Sequence, residues 1–233
     1  VCDLFDVRAE LGLAASKNEV RSGGKPKETA KRYRHYTDLL ANKDIDAVIV
    51  STPDHWHSRV AIDAAKAGKH VYCEKGLTRT FNEALDLYDT VKETGITFQL
   101  GHQNRQVEAY EQAKKIINQN LLGPINLVQL TTNRNSPGGA WVWGIHPEGN
   151  AKTIDWETFQ EPSPNKIPFG EEALRRFFRW RCWFDYGTGL SGDLFSHDFD
   201  QINQIMGLGI PKYASSSGGI YFYKDGRDVP DVW

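Results

Sequence analysis

Three side chains have the types and spacing that proton transfer needs. Lys75, preceded by Glu74, follows the run His70-Val71-Tyr72-Cys73 and stands where that strand must end. Asp193 and His197 lie four residues apart in Gly189-Leu190-Ser191-Gly192-Asp193-Leu194-Phe195-Ser196-His197-Asp198, so in a helix they are neighbours on one face. A carboxylate beside an imidazole orients the ring and raises its basicity, which gives a base near neutral pH. An ammonium polarises an oxygen or, with its pKa depressed by a nearby cation, takes a proton itself. The same helix puts Phe195, Phe199, Ile202 and Met206 on one face and Asp193, His197, Asp200 and Gln204 on the other, a pattern that an ordinary solvated helix also gives.

The elements that must position Lys75 are the clearest in the chain. Ala47-Val48-Ile49-Val50 is a short, β-branched apolar run that turns at Ser51-Thr52-Pro53, which predicts a buried strand entering a loop. Val60, Ala61, Ala64, Ala65 and Ala67 follow helical spacing, and Gly68 ends the helix before the strand that carries Lys75. Thr80 and Glu83 form a capping box for a helix bearing Ala84, Leu87, Tyr88 and Val91, which stops before Gly95. Ile96 to Leu100 is a further strand, followed by Gly101-His102-Gln103-Asn104-Arg105 and a helix with Tyr110, Ala113, Ile116 and Ile117 that stops near Gly123. Upstream, Val1-Cys2-Asp3 reads as a strand end and Asp6 as the N-cap of a helix through Leu11 and Ala14. A polar loop spans Arg21 to Lys31, Tyr33 to Tyr36 reads as a short strand, and Thr37 or Asp38 caps a brief helix. Strands alternating with helices of this length predict an α/β fold with a parallel sheet, whose carboxyl edge binds ligands.

From Ile125 the pattern changes. Ile125 to Asn133 reads as a longer strand, Ser136 to Phe169 is rich in Pro, Gly and Trp, and Tyr213 to Tyr223 reads as another strand. Arg175 to Tyr186 interleaves Arg with aromatic residues, as a core strand or a sugar-binding wall would. The division falls near Gly123, with one domain over 1–123 and a second over 124–233.

The run TPDHWHSRVAIDAAKAGKHVYCEKG resembles the signature of the Gfo/Idh/MocA family of nicotinamide-dependent oxidoreductases, and the Asp193/His197 spacing after a glycine-bearing turn resembles that family's second catalytic motif. The resemblance implies a Rossmann-type parallel sheet followed by an α+β domain with an open, mainly antiparallel sheet, through which the protein could form homo-oligomers. It implies Lys75, Asp193 and His197 as catalytic and substrate-contacting residues, with Arg105 at the substrate or in a structural ion pair. It places the cofactor against Ser51, Thr52, Pro53, His55 and His57 on the loop after the central strand Ala47-Val48-Ile49-Val50, and against Glu74, Lys75, Gln103 and Asp3. A carboxylate at Asp3 would hydrogen-bond a ribose hydroxyl and repel a 2′-phosphate, favouring NAD over NADP. One position departs: Gly76 stands where the family has Pro. The glycine-rich phosphate loop is also missing, and Gly23-Gly24 before Lys25-Pro26-Lys27 does not replace it, so the sequence reads as truncated at both ends. The implied activity is hydride transfer between a sugar, cyclitol or related polyol and NAD. The rivals are a glycosidase or lyase that oxidises its substrate transiently, and a non-catalytic binding protein on the same fold.

Composition narrows the classes. A formal net charge of -2 over 233 residues gives no electrostatic footprint for nucleic acid or an anionic membrane. Apolar runs are far shorter than the roughly 20 residues a membrane helix needs. Cys2, Cys73 and Cys182 are odd in number and far apart, which predicts free thiols and is compatible with a cytoplasmic protein. His55, His57, His70 and Cys73 are close in sequence, but an H-x-H pair on a bending loop need not converge, so no metal site is expected.

Overall fold

The computed structural model describes residues 1–18, 24, 30–131 and 137–233. Three parallel strands, β1 (Ala47–Val50), β2 (His70–Glu74) and β3 (Phe98–Gly101), pair in that order. Helix α3 (Asp54–Lys66) joins β1 to β2 and α4 (Phe81–Thr94) joins β2 to β3. Helices α1 (Asp6–Ser16) and α2 (Tyr36–Ala41) precede the sheet, and α5 (Glu108–Asn118) follows it.

Local chemistry accounts for these boundaries. The Thr80 hydroxyl accepts from the Glu83 N–H while the Glu83 carboxylate accepts from the Thr80 N–H, closing the expected capping box. Gly95 ends α4 at φ 65° and Gly68 turns the chain at φ 75°, left-handed conformations that glycine adopts without cost. Ala61, Ala64 and Ala65 are fully buried, and they let α3 lie close on β1 and β2 around Val50, Val71, Cys73 and Leu87. Gly101 relieves crowding where β3 ends, because a Cβ there would stand 3.0 Å from the Tyr72 hydroxyl and 3.1 Å from Glu74 Cα.

Several expectations are corrected. Strand β1 is covered on one face only, leaving Ile49 75% exposed. Tyr33 makes a single parallel bridge to Cys2, and Tyr36 already opens α2, whose N-cap is His35. Asp6 sits inside the first turn of α1 behind Phe5, and its carboxylate pairs with Arg32 and Arg34 instead of capping. Residues 125–131 form no strand, and Tyr213 to Tyr223 contributes only the isolated bridge Gly219 to Val232. A strand exists only through a partner ladder, and no described segment supplies one to either stretch. The expected antiparallel sheet after Gly123 is therefore not present among the described residues. Gly23 and Lys25-Pro26-Lys27 lie outside the described residues, as do 132–133 of the expected strand and Ser136.

The second half is organised instead around an aromatic core. Helices α6 (Trp156–Gln160) and α7 (Glu171–Phe178) bring Trp156, Phe159, Phe177 and Phe178 against Trp183, Tyr186 and Phe5. Arg175 to Tyr186 is thus a helix end and a 3-10 turn, not a strand. Its arginines are engaged: Arg175 and Arg176 pair with Glu172 on the same helix, and Arg181 lies 4.1 Å over the Trp180 ring. Helix α8 (Ser196–Met206) follows directly on a turn of π-helix, Ser191–Phe195.

Candidate active site

Lys75 and Asp193 meet although 118 residues separate them. Lys75 Nζ donates to Asp193 Oδ1 at 2.6 Å and to the Asp193 carbonyl at 2.6 Å, and Arg181 Nε donates to the same Oδ1 at 3.1 Å. Asp193 is buried. Burial opposes its charge, but Arg181 and Lys75 outweigh that and hold the carboxyl below its ordinary value. The π-helical turn aims Asp193 at the carboxyl end of β2, and such turns recur at functional sites.

His197 is a half-buried neighbour of this pair. Burial and the Lys75 ammonium push its pKa down while Asp193 pulls it up, so the ring is held neutral and ready to accept a proton. The orienting partner differs from expectation. Asp193 accepts its hydrogen bonds from two cations, which compete better for a carboxylate than a neutral ring does, and His197 packs edge-on against His102 at 5.5 Å. Burial likewise lowers the His102 pKa, with Asp200 acting against it. Asp200 accepts a forked pair of bonds from Arg105, at 2.9 and 2.6 Å, so the structure realises the ion-pair alternative for Arg105.

A cleft of about 600 Å³ opens beside Lys75 at the carboxyl ends of β1 and β2. Ser51, Thr52, Pro53, His57, Glu74 and Lys75 line it, joined by Arg8, Trp143 and Arg181. Thr52 Oγ1 is buried there with no hydrogen-bond partner, the state of a side chain that a bound group would satisfy. These residues fit the nicotinamide end of a dinucleotide at the edge where such sheets bind ligands. A second, more open depression of about 630 Å³ around Arg79 and Phe184 contains neither Glu74 nor Lys75.

Not every expected cofactor residue lines this cleft, and the histidines are placed differently from expectation. His55 and His57 are in the first turn of α3, not on a loop. His55 is enclosed by Phe159, Tyr186 and Trp56, donates to the Phe159 carbonyl at 2.6 Å, and is pushed down to about 3 by burial, so it offers a cofactor no surface. Gln103 is exposed on the short 3-10 turn Gln103–Gln106 and does not line the cleft. Asp3 is also outside the cleft lining, and its Oδ1 accepts from the Phe5 N–H at 2.8 Å. Burial raises its pKa, with Arg8 and Arg32 acting against it. Sequence reasoning did not assign Arg181, His102 or Thr188 to the site. The Arg-aromatic run and the segment after β3 were visible, but nothing local in them points to a partner so distant in sequence.

A parallel sheet with helical crossovers and a polar cleft at its carboxyl edge is a Rossmann-type nucleotide-binding unit. The model of the Gfo/Idh/MocA family, described as "Oxidoreductase family, NAD-binding Rossmann fold", matches residues 10–102. The chain is 29% identical over 184 residues to levoglucosan dehydrogenase of Pseudarthrobacter phenanthrenivorans, a match covering 79% of this chain and 41% of the relative. It is 32% identical over 125 residues to 2,7-anhydro-N-acetylneuraminate hydratase of Escherichia coli K12, covering 54% of this chain and 30% of that protein. The crystal structure of the WlbA dehydrogenase from Bordetella pertussis, in complex with NADH and UDP-GlcNAcA, superimposes with a TM-score of 0.61 at 20% identity, over 88% of this chain and 46% of that one. That likeness concerns the fold. The chain spans less than half the length of each of these relatives. No helix among the described residues is long and apolar enough to cross a membrane.

Proposed function

We propose that this chain belongs to an NAD(H)-dependent oxidoreductase that transfers hydride between nicotinamide and a secondary alcohol of a sugar, cyclitol or related polyol. The observation that carries the reading is the Lys75–Asp193 pair at 2.6 Å, beside a neutral His197 and at the mouth of a polar cleft on the sheet's carboxyl edge. Bound nicotinamide would accept the hydride that leaves the alcohol carbon. Lys75 polarises the alcohol oxygen, Asp193 and Arg181 fix the lysine, and His197 takes the hydroxyl proton. Placing a neutral imidazole beside an ammonium divides the labour, because the ring that must accept the proton starts without one. Trp143 and Trp180 line the same cleft and supply aromatic faces for a sugar ring. We favour NAD over NADP from the carboxylate at Asp3, with Arg8 nearby as the group that would favour NADP.

A second reading keeps the site and changes the net reaction: transient oxidation by retained cofactor, followed by elimination or hydration, as the hydratase relative suggests. One experiment separates them. The protein is mixed with NAD and a panel of sugars and cyclitols, and reduced nicotinamide is followed by its near-ultraviolet absorbance while product is followed by mass spectrometry. Reduced cofactor rising in step with product supports the dehydrogenase. Product without net reduction supports the second reading, and no turnover with any polyol overturns both.

A further inference from the structure

The first turn of α3 holds both halves of the candidate site at once. Asp54 and His57 are 2% and 1% exposed, and polar groups buried so deeply need partners. Asp54 Oδ2 accepts from the Thr188 N–H at 3.0 Å and from the Thr188 hydroxyl at 2.7 Å, across 134 residues of chain. His57 Nδ1 lies 2.8 Å from the Gly76 carbonyl, which can only accept, so the ring donates. Gly76 is the residue after Lys75. The Thr188 carbonyl in turn accepts from Ser191 Oγ at 3.0 Å and from the Gly192 N–H at 3.3 Å, at the start of the turn that carries Asp193. The two contacts are also packed against each other. A Cβ on Gly76 would stand 3.0 Å from Thr188 Oγ1 and 3.5 Å from Asp54 Oδ2, and one on Gly192 would stand 1.9 Å from Thr188 Oγ1.

We infer that Asp54, His57 and Thr188 are positioning residues: one helical turn grips the Lys75 loop through Gly76 and the Asp193 turn through Thr188, and so sets the separation of the Lys75–Asp193 pair. The inference rests on the reading of that pair as the reacting machinery. Asp54 and His57 are three residues apart on a rigid element, so their two grips move together. Hydrogen bonds in a buried, low-dielectric setting are electrostatically stronger than in water, and small displacements of reacting groups lower rates steeply.

The test compares Thr188→Val, which keeps the shape and loses the hydroxyl, with Thr188→Ser, which keeps the hydroxyl. The first readout needs no turnover: competitive acetylation of lysines with acetic anhydride, with Lys75 quantified against the other lysines by mass spectrometry. We expect Lys75 labelling to rise several-fold in Thr188→Val and to return to the wild-type rate in Thr188→Ser. In the enzyme assay kcat should fall about tenfold in Thr188→Val while the KM for cofactor stays within about twofold, with Thr188→Ser restoring kcat. Unchanged Lys75 labelling in a folded Thr188→Val protein overturns the inference, and so do equal effects of Val and Ser, which would mark simple packing. Should Thr188→Val fail to fold, Asp54→Ala, which removes the acceptor of both Thr188 bonds, takes its place, and unchanged Lys75 labelling in that folded protein overturns the inference. A wild-type protein with no turnover overturns the functional reading alone, because the labelling result still decides the positioning role.

Discussion

Replacing Asp193 by Asn removes the carboxylate charge that Lys75 and Arg181 share and leaves shape and one acceptor in place. The contacts at stake are 2.6 Å from Lys75 Nζ and 3.1 Å from Arg181 Nε. Breaking a fully buried pair costs about 3–5 kcal/mol, and an exposed pair is worth about 0–1 kcal/mol. Here Asp193 is 7% exposed but Lys75 is 14% and Arg181 31% exposed, so water reaches the cations and the effect belongs between those limits, at about 2 kcal/mol. For a chain of this size that corresponds to a fall in Tm of roughly 4–8 °C. The pH dependence has a definite sign. Arg181 and Lys75, working against burial, hold the Asp193 carboxyl below its ordinary value, so its contribution is complete above the unfolded value of about 3.9 and is lost as pH falls through the folded value. Thermal unfolding followed by circular dichroism, at a series of pH values, should show a constant gap between wild type and Asp193→Asn at neutral pH that closes only in strong acid. Equal Tm values at neutral pH would refute the reasoning, since desolvation would then have cancelled the pair. A gap that persisted undiminished into acid would refute its electrostatic origin.

Three further outcomes are expected. Lys75→Met and His197→Ala should each lower kcat by about 10²–10⁴-fold while co-purified or titrated NAD(H) still binds, which equilibrium dialysis checks; unaltered turnover would remove the residue from the mechanism. His55 is held neutral down to about 3 by burial, whereas an unfolded imidazole titrates near 6.5, so its contribution to stability is complete above the unfolded value and falls as the solution is acidified between the two. His55→Phe should flatten that part of the stability profile in urea unfolding, because Trp56 Nε1 still donates to the Phe159 carbonyl at 2.9 Å; an unchanged slope would exclude His55 as its source. Arg105→Ala should cost less than about 1 kcal/mol despite the forked bond to Asp200, because Arg105 is half exposed, and the loss should shrink further in high salt; a larger, salt-independent loss in urea titrations would place the pair in the core.

What the sequence disclosed was what short-range chemistry dictates. The strand Ala47–Val50, the helix through Ala64, the strand ending in Glu74 and the Thr80–Glu83 capping box are each written in fewer than twenty residues, and all four are present. The strands expected at 125–133 and 213–223 depend on distant neighbours, and β-branched or aromatic composition cannot name those neighbours. Arg175 to Tyr186 carried a helical signal that was overlooked, since Glu172 precedes Arg175 and Arg176 at the spacings that stabilise a helix. The candidate site residues Lys75, Asp193 and His197 were singled out by resemblance, because the Asp193/His197 spacing alone also suits a solvated helix face. The groups that tune them were not, because Arg181, His102 and Thr188 act across folds of the chain that leave no periodic trace.

Gly76 shows why such a departure has to be judged with its surroundings. A proline after Lys75 would fix φ locally and stiffen the loop that presents the ammonium. The position Cβ would occupy, however, lies 3.0 Å from Thr188 Oγ1 and 3.4 Å from the Gly192 carbonyl, so a side chain at 76 competes for space with the Thr188 hydroxyl. That hydroxyl is committed to Asp54 at 2.7 Å. A side chain at residue 76 would press on the threonine that joins α3 to the Asp193 turn, and glycine there forgoes the local restraint that a ring would give. The bond from His57 to the Gly76 carbonyl restores a restraint of another kind, set by tertiary contact instead of backbone chemistry. Lys75 is then held through tertiary contacts, and its position depends on α3 and on the Asp193 turn staying docked together.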